Sequence, residues 1–137
     1  MAGLEQLIVA SDNNAISFGN HEVEEKQKQE GFELAGEVYK VKTHNQITRL
    51  EKNGRLLFES VPGTTVSNLL LNSDTMSFGV AGSAEDAQIT VELEADQDYK
   101  ILINQLQVGK VTANLAGKIS FSVDFATGQQ AVEIKKI

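Results

Sequence analysis

The side chains of this chain that could do chemistry are mostly carboxylates. Glu85, Asp86, Glu92, Glu94, Asp96 and Asp98 follow one another with no basic residue before Lys100. Grouped carboxylate oxygens are the donor set of a calcium ion, but a calcium loop gathers them on a tight turn of the form Asp-x-Asp-x-Asp-Gly. That loop is missing. Glu92 and Glu94 stand two positions apart in an apolar alternation, which places both on the outer face of a strand, so a solvated face is expected rather than a metal site. The only histidines, His21 and His44, lie in the polar contexts Asn20-His21-Glu22 and Thr43-His44-Asn45. A tetrahedral zinc site built on them would have to recruit carboxylates from elsewhere. No Gly-x-Ser-x-Gly elbow supports a Ser-His-Asp arrangement. Asn53-Gly54-Arg55, Gly79-Val80-Ala81-Gly82 and Val108-Gly109-Lys110 have the wrong spacing for a phosphate loop. No catalytic residue, cofactor or metal site is expected.

Composition narrows the partners. The chain has 137 residues, 41% hydrophobic and 23% charged, which suits a soluble globular protein. Twelve basic against nineteen acidic residues give a formal charge of −7. That field repels phosphate backbones and anionic lipid, so neither nucleic acid nor membrane is expected as a partner. There is no cysteine and hence no disulfide or thiol nucleophile. Met1-Ala2-Gly3-Leu4-Glu5-Gln6 lacks a basic region, and the apolar run from Leu7 to Ala10 is too short for a signal or a membrane span, which predicts a cytoplasmic protein as encoded.

The elements that must position these residues read as strands. Val66–Leu71, Thr75–Val80, Ala87–Leu93, Asp98–Ile103, Gln107–Thr112, Lys118–Phe125 and Gln130–Lys136 alternate between apolar and polar residues and are spaced like the strands of a small sandwich. Tyr99, Ile101, Ile103, Ile119, Phe121, Val123, Phe125, Val132 and Ile134 are its expected core. Earlier, Leu4–Ala10, Ala15–Phe18, Phe32–Leu34, Glu37–Lys42, Ile47–Lys52 and Arg55–Ser60 give a β-rich region. Glu22–Glu30 reads as either an exposed edge strand or a short solvated helix. Asn53-Gly54 predicts a two-residue hairpin turn with positive φ at both centres. Counting outward pairs Glu51 with Leu56, Leu50 with Leu57, Arg49 with Phe58 and Thr48 with Glu59, which leaves both faces of the hairpin partly apolar. Val61-Pro62-Gly63 predicts a type II turn with positive φ at the glycine. It marks a seam between residues 1–64 and 65–137, read either as two regions or as one continuous domain.

Four stretches carry a resemblance: Tyr39-Lys40-Val41-Lys42-Thr43, Leu50-Glu51-Lys52-Asn53-Gly54, Glu59-Ser60-Val61-Pro62-Gly63-Thr64, and Glu85 to Glu94. Through them the chain resembles a family of short proteins of Gram-positive gut anaerobes often labelled "endosialidase". Separately, Asp98–Asp124 resembles the immunoglobulin-like sandwich modules that accompany bacterial surface and polysaccharide-active proteins. The resemblances imply an all-β fold, with a β-hairpin or meander region followed by a small immunoglobulin-like antiparallel β-sandwich. The family label implies glycan chemistry, whereas the residues do not supply it. A sialidase holds its substrate carboxylate with a trio of arginines, and this chain has only Arg49 and Arg55. A propeller of several blades, each of about 40 residues or more, would not fit either.

The functional expectation is a non-catalytic interaction or assembly module, associated with a phage tail or a surface structure. The alternative is a carbohydrate-binding accessory module, and a glycan-active enzyme ranks last. Burial of Tyr39, Tyr99 and Phe58 would favour assembly, because sugar platforms expose flat aromatic faces. The expected partner is a second copy or another protein, with a glycan as the alternative. The expected contact is the Ile47–Ser60 hairpin, through Leu56 and Phe58 with Arg49 at the rim.

Overall fold

The computed structural model describes residues 7–11 and 13–137. Among them are thirteen strands and no helix: β1 (Ile8–Ala10), β2 (Ile16–Phe18), β3 (Gln27–Leu34), β4 (Glu37–Thr43), β5 (Thr48–Lys52), β6 (Arg55–Val61), β7 (Thr65–Leu71), β8 (Thr75–Ala81), β9 (Asp86–Glu92), β10 (Asp98–Ile103), β11 (Leu106–Thr112), β12 (Lys118–Asp124) and β13 (Gln130–Lys136). No helix of the described residues is long and apolar enough to cross a membrane. The strands make two antiparallel sheets, one in the order β1-β2-β7-β8-β13-β10-β11 and the other β12-β9-β6-β5-β4-β3. The expected all-β sandwich is present, and the N-terminal meander is β3 to β6, each paired with the next.

Alternation produces this arrangement directly. Along β8 and β9 every second side chain is buried, and the inward sets Met76, Phe78, Val80 and Ala87, Ile89, Val91 meet in one core. Phe58 lies at its centre, fully buried, edge-on to Phe18 at 5.3 Å and to Phe78 at 5.4 Å between ring centroids. Both partners come from the opposite sheet, so this trio clamps the layers together. The predicted core positions on β10, β12 and β13 are buried, with Ile103 and Phe121 half-buried beside them.

Two local expectations need correction. Asn53 and Gly54 do have positive φ, at 53° and 81°, and Glu51 does face Leu56. Beyond that pair a bulge shifts the register: Leu50 faces Phe58, Arg49 faces Glu59 and Thr48 faces Ser60, leaving Leu57 as the extra residue. Leu57 and Phe58 are both buried in consequence, and the hairpin keeps one polar face. At the seam, the Val61–Pro62 peptide is cis and Gly63 lacks positive φ, so the turn is not type II. Glycine is required there by a close approach, since a Cβ on Gly63 would fall 1.9 Å from the carbonyl oxygen of His44. Of the two readings of Glu22–Glu30, the edge strand holds from Gln27 onward, as part of β3. The predicted Leu4–Ala10 strand runs from Ile8 to Ala10, and residues 4–6 lie outside the described ones.

The chain passes from one sheet to the other between β6 and β7. Both sheets draw on either side of that crossing, with β2 paired to β7 and β6 paired to β9. A hydroxyl network fills the corner. Thr48 Oγ1 donates to the Thr64 carbonyl at 2.7 Å, accepts from the Thr64 N–H at 3.0 Å, and meets Thr43 Oγ1 at 2.8 Å. Ser60 Oγ and Thr64 Oγ1 are 2.7 Å apart, and all four residues are fully buried. Each hydroxyl has a partner, which is what burial of such groups demands.

Candidate interaction surface

A sandwich of two open sheets has four edge strands, and each leaves backbone groups without a strand partner. Here they are β1, β3, β11 and β12. The β1 strand is only three residues long. The β3 edge is bulged between Gln29 and Phe32 and carries Lys28 and Glu30, the latter within 3.8 Å of Lys28 and of Lys40. The Leu7 N–H also donates to Gln29 Oε1 at 2.9 Å, tying the two sheets together on this side. Charge, a bulge and a bridging bond therefore close the β1–β3 side.

The β11–β12 side is open. Between the two edges lies a trough of about 740 Å³, lined by Ile101, Ile103, Leu106, Val108, Val111 and Phe121 among others. Leu106 is 71% and Val108 60% exposed, a large apolar exposure on one short strand. The pairing of β11 with β10 explains it. Ile101 faces Gly109 and Leu102 faces Gln107, so Val108 is a bulged extra residue. Gly109 takes an inward position, facing the buried Ile101, and a Cβ built there would meet nothing within 4 Å. An inward site with no side chain and no neighbour is a gap in the core wall.

The outer face of the same edge is basic. Lys110 pairs with Lys100 on β10, and Lys100 pairs with Lys135 on β13, making a lateral row of three lysines. Like charges directly opposite one another on a sheet are unfavourable. Lys135 has a carboxylate, Glu133, at 3.8 Å. Among the described residues, Lys100 and Lys110 have no ion-pair partner within 4 Å.

A second concavity of about 420 Å³ opens at one end of the sandwich, with Leu57, Met76, Tyr99 and Ile134 among its lining residues. Two ion pairs stand at it: Arg55 pairs with Glu92 at 2.7 Å, and Glu94 pairs with Lys136, while Lys52 and Asp74 also line the cleft. The Glu94 hydrogen bond holds the Lys136 ammonium above the usual lysine range. The Glu94 N–H donates to Tyr99 Oη at 3.1 Å.

The residues expected to form a contact do not share a surface. Phe58 is sealed in the core of its own chain. Arg49 lies on the outer face and pairs with Glu51 at 3.3 Å and Glu59 at 3.2 Å within its own sheet. Leu56 is half-buried beside the end cleft. Tyr39 and Tyr99 are buried as well, and burial followed by the Glu37 carboxylate pushes the Tyr39 phenol above its ordinary range. His21 packs at the corner, with Nδ1 2.7 Å from Thr65 Oγ1. Of the acidic stretch, Glu92 and Glu94 are in ion pairs and Asp98 accepts from Thr112 Oγ1 at 2.5 Å.

The β11 surface did not stand out in the sequence because Gln107–Thr112 reads there as one strand among several, with nothing local to mark it as an edge. The available signal was a glycine inside an alternating strand, which marks a bulge or a close approach. No protein-family model, curated protein or solved structure matches this chain.

Proposed function

We propose that the chain is a non-catalytic interaction module that engages its partner through the open β11–β12 side. The observation that carries this reading is the exposure of Leu106 and Val108 beside a trough left unfilled at Gly109. Apolar surface of this kind gains free energy when a partner covers it, and clustered exposure on a small protein marks such contacts. The carbohydrate reading loses ground, because Tyr39, Tyr99 and Phe58 are turned into the core and offer no flat platform.

A peptide-display library and a glycan array, screened with the same protein, test the reading. The expected result is a set of selected peptides whose binding disappears in the Leu106→Asp/Val108→Asp variant. Glycan binding that this variant leaves intact, with no peptide selected, would replace the reading with the carbohydrate-binding one.

A further inference from the structure

We infer that the occupant of the open side is an extended segment of a partner protein, alternating apolar and acidic residues, that adds to the first sheet along Gly109–Thr112. This rests on the interaction-module reading and names the chemistry of its partner. Three features of β11 specify the segment. As the free edge of its sheet, β11 offers unpaired backbone groups to an incoming strand. Residues of that strand opposite Gly109 and Val111 would point inward, where the trough is empty. The residue between them would stand opposite Lys110 on the outer face, at the end of the row Lys110, Lys100, Lys135.

Charge selects among candidate strands. Cross-strand neighbours approach to about 5 Å between Cβ atoms, so a carboxylate beside Lys110 relieves a repulsive row, whereas a basic residue extends it. Asp98 and Glu133 are the acidic side chains on the flanking positions of the same face; Glu133 is engaged with Lys135, and Asp98 accepts a bond from Thr112. A second copy is a poor occupant by the same reasoning, because two β11 strands side by side would set two lysine rows on one continuous face. The bulge at Val108 kinks the edge and limits regular pairing to the Gly109–Thr112 end.

Fluorescence anisotropy with three labelled synthetic peptides tests the inference: one alternating Glu and Val, one alternating Lys and Val, and the acidic one with a central proline. The acidic peptide should bind at least about ten times more tightly than the other two, and its affinity should fall as salt rises. Lys110→Glu should reverse the preference between acidic and basic peptides. Gly109→Leu should abolish binding while leaving the melting temperature unchanged, which separates a filled trough from a misfolded protein. Equal affinity for acidic and basic peptides, or an acidic preference unaffected by Lys110→Glu, would overturn the inference while leaving the interaction reading standing. If none of the three binds and the display library yields nothing sensitive to Leu106→Asp/Val108→Asp, both fall together.

Discussion

The corner between β6 and β7 and the edge at β11 use glycine for opposite ends. At the corner there is no room: a Cβ on Gly63 would strike the His44 carbonyl at 1.9 Å, and one on Gly19 would lie 2.7 Å from the Thr64 carbonyl. Four fully buried hydroxyl residues saturate the remaining polar groups. At the edge there is space to spare, and Gly109 leaves an inward position empty beside exposed Leu106 and Val108. The contrast separates what holds this fold from what the fold offers. Interiors packed to crystal density resist any added atom, whereas a gap at a free edge accepts one.

Substitutions can break or sharpen the contrast. Gly63→Ala should have the largest effect, because the clash is with backbone and has no flexible side chain to displace; a loss of about 3 kcal/mol or more is expected in urea unfolding. Thr48→Val keeps the shape and removes the hydroxyl, taking away the partner of the buried Thr64 N–H and carbonyl, at a cost of about 1–3 kcal/mol by the same measurement. Gly54→Val, at a residue with φ of 81° and open space around it, should cost about 1 kcal/mol through backbone strain alone. Gly109→Leu should move stability by less than about 0.5 kcal/mol, since it adds apolar atoms where nothing stands. A loss at Gly109 comparable to that at Gly63 would erase the distinction between the two regions.

The strands were legible in the sequence because a period of two survives in single residues, as in Met76-Ser77-Phe78-Gly79-Val80. The Asn53-Gly54 turn was legible because those two residue types tolerate positive φ. The register beyond it was not. Leu56-Leu57-Phe58 offers three apolar residues in succession, and the choice of Leu57 as the bulge depends on Phe58 meeting Phe18 and Phe78 from the opposite sheet. Local spacing carries no record of such contacts, so Phe58 read as a surface anchor when it is the centre of the core. Likewise Pro62-Gly63 read as a turn type, whereas the glycine answers to His44. The candidate surface was hidden for a related reason. Leu106, Val108 and Gly109 are recognisable as strand residues, but which strands end up at the edges of the sheets follows from pairing over the whole chain.

The central claim is that the corner is sealed while the β11 edge is free, and amide hydrogen exchange followed by NMR tests it most directly. In the protein alone, the amides of Leu50, Phe58 and Val66 should exchange only through global unfolding, and the alternate amides of β11 that point away from β10 should exchange faster by orders of magnitude. Outward β11 amides as slow as those of β6 would show that this edge is already covered, and would contradict the account.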